Sequence, residues 1–272
     1  GDMIGAEKNI DRALSLVPDN PRALVRKAGI RQTRGDIEAA TEFYTKALAL
    51  SPGNTAALIG RASAMVAANK DSEAAKDIDA VLQDSAKNPI AVYLSALLLA
   101  REKKFDAAME RLQSVGDILA NYPPANYLTA SLSFAQGRIE QAQSYIQRYL
   151  AKQDESPRGK RLLAAIYLRK KNAPAAIKIL EPMVKLTPDD PRLLTLLGNA
   201  YVANRQNAKA GEIYQRVITE APDNQSARTR LALTHLNTGD SKSAVKEFET
   251  ILEQDPDATR KPVPCSHAFA EP

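Results

Sequence analysis

The sequence predicts an all-α protein, a solenoid of antiparallel helix pairs. Three observations carry that prediction. A period of 34 residues runs through the chain, with first places at Pro21, Thr55, Pro89, Pro123, Pro157, Pro191, Gln225 and Thr259. Small residues recur at two fixed places within it. A helix-ending residue closes most periods, so each repeat reads as a helix–turn–helix stacked on its neighbours. The most regular period is 191–224. There Leu194, Leu197, Gly198 and Tyr201 stand at helical spacing, the polar run 204–207 breaks the pattern, and Ala210, Tyr214 and Val217 mark a second helical face.

Place 8 reads Ala28, Ala62, Ala96, Ala130, Ala164, Gly198 and Ala232, and place 20 reads Ala40, Ala74, Ala108, Ala142, Ala176, Ala210 and Ala244. Two helices that approach closely require small side chains there, and a bulky one would overpack the contact by roughly 1–3 kcal/mol. Place 24 is large (Tyr44, Ile78, Leu112, Ile146, Leu180, Tyr214, Phe248), as expected of a core position on the second helix. Pro18, Pro52, Pro188, Pro222 and Pro256 stop second helices, because proline lacks the amide donor. Asp19, Asn54, Asp189 and Asp223 suit an N-cap or turn role after them. Gly35, Gly137 and Gly239 sit in the turns at place 15.

Residues 1–20 are in phase as a lone second helix, and seven full units follow at 21–54, 55–88, 89–122, 123–156, 157–190, 191–224 and 225–258. Several departures carry expectations. Lys27 and Arg31 replace apolar residues in the first full unit, and their charges should snorkel to water and loosen it. Gly116 should interrupt a second helix, and Pro182 should bend one near Lys178. The tail 259–272 contains Pro262, Pro264 and Pro272 and reads as irregular, native or vector-derived. It would leave Phe248, Ile251 and Leu252 partly uncovered and open to end-to-end self-association. The chain opens at Gly1 inside a helical pattern, which suggests a longer native protein.

Apolar residues make up 44% and charged residues 25% of 272, typical of a folded soluble protein. The net charge of +5 is too mild to point to nucleic acid. One cysteine, Cys265, excludes an internal disulfide. No apolar run reaches the length of a transmembrane helix; the best, 90–100, is too short. The sequence holds no glycine-rich phosphate loop, HExxH, CxxC or nucleophile elbow. His235 occupies place 11 and reads as a packed core residue, and His267 beside Cys265 lacks the further ligands a metal needs. An enzyme, a cofactor and a metal site are therefore not expected.

The 34-residue period and its Ala/Gly places resemble the tetratricopeptide repeat family across about 258 of the 272 residues. The resemblance implies a right-handed solenoid and a concave groove lined by places 2, 5, 9, 12 and 13 of the first helices. Groove candidates on that basis are Tyr93 and Leu97 with Ile90; Tyr127 and Phe134 with Ser131; Arg158, Arg161 and Arg169; and Arg192 and Asn199 with Thr195. An apolar–aromatic stretch thus stands beside a basic one. Residues 157–224 carry twelve basic and six acidic residues, a balance of +6. Many members of the family hold a chaperone's C-terminus in a carboxylate clamp. That clamp wants lysine at place 5 and asparagine at place 9 of one unit, and no unit here combines them.

The runs NYPPANYLTASLSFAQGRIEQAQSYIQRYL, RLLAAIYLRKKNAPAAIKILEPMVKLTPDDPRLLTLLGNAYV and PDNQSARTRLALTHLNTGDSKSAVKEFE, within roughly 88–256, resemble more narrowly the PEP-CTERM system TPR-repeat lipoproteins. That resemblance implies a noncatalytic scaffold of the bacterial envelope, in exopolysaccharide assembly or PEP-CTERM protein sorting. It implies a periplasmic location, with membrane attachment only through a lipid anchor outside these residues; Cys265 does not stand for it. The partner would be a protein or peptide, or an acidic polysaccharide. The competing reading is a cytoplasmic adaptor or co-chaperone for complex assembly.

Overall fold

The structure, a computed structural model, describes residues 3–254. The expectations for Pro256, the tail 259–272, Cys265 and His267 lie outside the described residues. The architecture is all-α, and the chain divides into two compact units, Gly1–Ala125 and Asn126–Pro272. Helices of the first are α1 (Met3–Leu16), α2 (Pro21–Thr33), α3 (Ile37–Leu50), α4 (Thr55–Ala67), α5 (Asp71–Asp84), α6 (Pro89–Arg101), α7 (Phe105–Gln113) and α8 (Gly116–Leu119). α9 (Pro123–Ala135) leads into the second unit, followed by α10 (Ile139–Leu150), α11 (Pro157–Arg169), α12 (Ala173–Leu186), α13 (Pro191–Ala203), α14 (Asn207–Glu220), α15 (Gln225–Asn237) and α16 (Ser241–Gln254). First helices thus begin every 34 residues, at Pro21 and onward to Gln225.

The small places do what their size dictates. All six alanines at place 8 and all seven at place 20 are 0% exposed. A Cβ added to Gly198, the one glycine of the set, would stand 2.6 Å from Cε1 of Tyr214. Place 24 is buried from Tyr44 to Tyr214, while Phe248 is half-buried. Ile251, on the helix that packs against α15, is buried, against expectation; Leu252 and Val245 are exposed.

Helix starts are capped at place 34. Side chains of Asn20, Asn54, Asn88, Ser156, Asp190 and Asn224 accept hydrogen bonds from amides in the first turn. Of the four residues expected to cap or to turn, Asn54 is a cap. Asp19, Asp189 and Asp223 lie one residue earlier, in the turn.

The turn after each first helix closes in one way. Place 15 is left-handed in all seven repeats: Gly35, Gly137 and Gly239, but also Asn69 (φ 58°), Lys103 (φ 61°), Lys171 (φ 58°) and Arg205 (φ 58°). The amide that follows returns to a carbonyl five residues back, as from Asn172 to Tyr167 at 2.8 Å and from Gln206 to Tyr201 at 2.8 Å. This is the Schellman closure, whose left-handed residue costs a side-chain-bearing residue about 1–2 kcal/mol relative to glycine. Lys171→Gly and Arg205→Gly should therefore each raise stability, net of glycine's extra unfolded-state freedom, by about 0.5–1 kcal/mol. Asn69→Gly should gain less, since asparagine tolerates this region. Thermal unfolding of the three variants measures the difference.

Two sequence departures fall inside second helices. The second helix near Gly116 is split into α7 and the single turn α8. α12 runs through Pro182 as one helix; the ring deprives the Lys178 carbonyl of its usual donor but leaves the helix continuous.

The reading of Lys27 needs correction. Its charge does not reach water: the side chain is 5% exposed, and Nζ donates to Glu7 Oε1 and Asp11 Oδ1 of α1, each at 2.7 Å. Glu7 also pairs with Arg31 at 3.2 Å and with Arg34. α1 covers this face of α2 with carboxylates, so the cations are neutralised in place rather than solvated. The hydrogen bond from Lys27 holds the Glu7 carboxyl below its ordinary value. Burial alone would pull the Lys27 ammonium down, and the Asp11 and Glu7 carboxylates more than offset it, leaving it raised.

Candidate functional site

In the second unit, three successive first helices, α11, α13 and α15, present the same face. Ala165, Leu168 and Arg169 of α11, and Asn199, Val202 and Ala203 of α13, occupy places 9, 12 and 13 of their repeats. Arg230, Leu233, Thr234 and Asn237 of α15 and the Tyr214 ring of α14 complete a concavity of about 380 Å³. Its lining is apolar apart from a few converging polar groups, the usual composition of a recognition site.

The polar floor is a three-residue network. Tyr214 Oη donates to Asn199 Oδ1 at 2.8 Å, and Arg230 Nη1 donates to the same oxygen at 2.6 Å. A guanidinium has only donors, so the Asn199 amide must turn its oxygen toward Arg230. Burial pushes the Tyr214 hydroxyl up to about 12, with Arg230 acting in the opposite sense, so the phenol keeps its proton at neutral pH. Thr234 Oγ1 donates to the Arg230 carbonyl at 2.7 Å. Neither a nucleophile beside a base nor a pair of carboxylates lines the concavity. Among the described residues no group of three or more His, Cys, Asp or Glu could hold a metal ion.

The residues singled out from sequence fare differently. Asn199 and Arg169 line the concavity. Arg169 also lies 5.9 Å from the centre of the Phe134 ring. Phe134 itself is 7% exposed and belongs to the core, which corrects its reading as a groove aromatic; it shares a cluster with Ala130, Ala142 and Ile146. Tyr127 is half-buried, 5.2 Å from the Tyr149 ring. Arg158 is committed within the chain: Nε donates to Tyr149 Oη at 3.0 Å, and its guanidinium lies 4.7 Å from the Tyr127 ring centre. Arg161 is half-buried and makes no hydrogen bond or ion pair among the described residues. Arg192 is exposed at the start of α13. In the first unit, Tyr93 and Leu97 are half-buried against the cluster around Ala62, Ile78 and Leu94. Tyr93 meets Tyr122 edge-on at 5.3 Å.

The basic stretch on α11 is thinner than its composition suggests. Lys160 pairs with Glu155 at 2.7 Å and Lys170 with Glu140 at 2.8 Å. His235 is not a core residue either. Its side chain is 29% exposed, and Nδ1 lies 3.7 Å from Asp240, the residue whose side chain accepts from the Ser243 amide at the start of α16. Sequence reasoning missed Arg230. Place 6 is leucine at 94, 128, 162 and 196 and arginine at 26 and 230, so the charge at an apolar place was the available signal.

A helix-pair period, left-handed turns in every repeat and an alanine-lined interface define a class of interaction solenoids. The particular family follows directly. Models described as tetratricopeptide repeat match residues 5–55, 32–98, 99–166, 134–200 and 201–260, and the chain belongs to the tetratricopeptide repeat family. Among solved structures it is similar to YrrB, a TPR protein with an unusual peptide-binding site, at 14% identity and TM-score 0.58, covering 68% of this chain and 95% of that one. It is similar to PilW, a type IV pilus biogenesis factor, at 21% identity and TM-score 0.58, covering 69% and 87%. The APC/C hetero-tetramer Cut9–Hcn1 gives 16% identity and TM-score 0.66, over 94% of this chain and 50% of that one. At these identities the likeness is one of fold. A comparison with curated proteins finds no match. No helix among the described residues is long and apolar enough to cross a membrane.

Proposed function

We propose that this protein is a noncatalytic interaction scaffold that holds a peptide segment of a partner protein in the concave face of α11, α13 and α15. The observation that carries this reading is the concavity itself: about 380 Å³, apolar at Leu168, Val202 and Leu233, and donor-bearing at Asn199 and Arg230. Membership of a family of interaction modules supports it. On the finer question of setting, the wording of 88–256 resembles the PEP-CTERM system lipoproteins. The partner on that reading belongs to envelope sorting or exopolysaccharide assembly, and the protein is held at the membrane by a lipid anchor outside these residues.

The test is obstruction. Ala203 is exposed on the lining, so Ala203→Trp fills the concavity while sparing the core. Partner capture from a bacterial envelope extract, followed by mass spectrometry, should lose its specific proteins with Ala203→Trp at unchanged melting temperature. Capture that is indifferent to this substitution would remove the site.

A further inference from the structure

Resting on that reading, we propose that the concavity is selective for an acidic side chain, Asp or Glu, carried beside a leucine-sized apolar residue in the bound peptide, with Arg230 as its receiver. Three other shielded cations of this chain set the comparison. Arg61 holds Asp77 through Nε and Nη2, both at 2.7 Å. Arg228 holds Glu247 at 2.7 Å, and Lys27 holds Glu7 and Asp11 at 2.7 Å. Arg230, half-buried on the same helix as Arg228, faces no carboxylate among the described residues. Its Nη1 is taken by Asn199, and its Nε, like that of the carboxylate-paired Arg228, is buried without an acceptor. A shielded guanidinium satisfied by a single amide oxygen is under-compensated, and a carboxylate is the group that completes it.

The neighbours of Arg230 enforce the sign. Asn199 Oδ1 already accepts twice, from Tyr214 and Arg230, so what this amide has left to offer a ligand is its NH2 donor face. Tyr214 keeps its proton and spends it on Asn199. Arg169 stands on the opposite wall, and no acidic residue lines the concavity. Donors therefore converge, and a ligand must supply acceptors with negative charge. The apolar part comes from Leu168, Val202 and Leu233. Leu233 is 50% exposed and is one of the larger uncovered hydrophobic residues of α15. A volume of about 380 Å³ accommodates two neighbouring side chains of a peptide. An apolar wall beside the arginines favours a peptide over a uniformly polar glycan, whose rings would leave Leu233 without a complementary surface.

The experiment pans a random nonapeptide phage library on the full chain, with Ala203→Trp as the counter-selection. Selected peptides are then measured by fluorescence polarisation against the native protein, Arg230→Gln, Arg230→Lys and Ala203→Trp. The expected result is enrichment of Asp or Glu next to Leu, Ile or Met. Affinity should fall at least about tenfold with Arg230→Gln, less with Arg230→Lys, and should be lost with Ala203→Trp. Replacing the selected acid with its amide should cost the native protein the same factor and Arg230→Gln almost nothing, a coupling that a general folding defect would not produce. Peptides without an acid, or unaffected by Arg230→Gln yet lost with Ala203→Trp, overturn the inference and leave the groove in place. Peptides indifferent to both substitutions, or a failed selection, sink the groove reading and the inference together. Binding of an oligoglucuronate that Arg230→Gln abolishes, without peptide binding, overturns the choice of peptide.

Discussion

Tyr214→Ala should destabilise the second unit by about 3–5 kcal/mol, among the largest single-residue losses available in this chain. The ring is 1% exposed and fills the space that Gly198 leaves open on α13. Its removal opens a cavity where Gly198 of α13 meets α14, and neighbouring alanines are too short to fill it. Tyr214→Phe separates packing from hydrogen bonding. It keeps the ring and loses one neutral hydrogen bond, which contributes about 1 kcal/mol. The two substitutions should also differ at the site. Phenylalanine removes one of the two donors to Asn199 Oδ1 but leaves Arg230 in place, so peptide affinity should drop only slightly. Urea unfolding measures the first effect and fluorescence polarisation the second. Equal destabilisation by Ala and Phe would mean that the ring is not the keystone of this contact.

Glu7→Gln should be the most damaging charge substitution of the first unit, and clearly worse than Asp11→Asn. Glu7 serves Lys27, Arg31 and Arg34 together, whereas Asp11 serves Lys27 alone, and Glu7 is the more shielded at 13% side-chain exposure against 54%. The amide would leave Lys27, 5% exposed, with one partner. The pH dependence follows from the two directions of shift. Glu7 is lowered in the folded state, so its contribution is present above its unfolded value, near 4.5, and is lost as pH falls through the folded value. Lys27 is raised, so its contribution is complete below about 10.5 and is lost as pH rises through the folded value. Thermal melts should show a plateau between these limits, with Glu7→Gln flattening the acid limb. An unchanged acid limb would assign the loss to other carboxylates.

How much of this was legible in the sequence depends on how local the cause was. Ala28, Ala62 and Ala210 announce a close helix contact through their size alone, and the 34-residue step places every first helix. Phe134 and Arg158 have contacts that spacing does not show, for a common reason. Each lies on the first-helix face that a groove would use, but its surroundings come from another helix as well: Phe134 shares a core cluster with Ile146 and Ala142 of α10, and Arg158 bonds Tyr149 of α10. Spacing within one helix cannot reveal such a capture. Lys27 was misjudged likewise, because the charges that neutralise it belong to α1 and stand 16 and 20 residues away. Arg230 escaped notice because place 6 faces neighbouring helices in most repeats. Only in the folded chain does its guanidinium meet Asn199, 31 residues back. Charge reversal at Arg158 would consequently break the Tyr149 contact as well as any recognition, and Arg230 gives the cleaner probe.

The uniform left-handed closure gives each hairpin its own molecular clock. Lys103, Lys171 and Arg205 sit at these bends, with Lys70 one residue beyond Asn69, and all four are exposed. Trypsin needs an extended stretch of chain, so a bend held by its return hydrogen bond is cut only when that hairpin opens. The order in which fragments ending at 70, 103, 171 and 205 accumulate would rank the hairpins by the ease with which each one breathes.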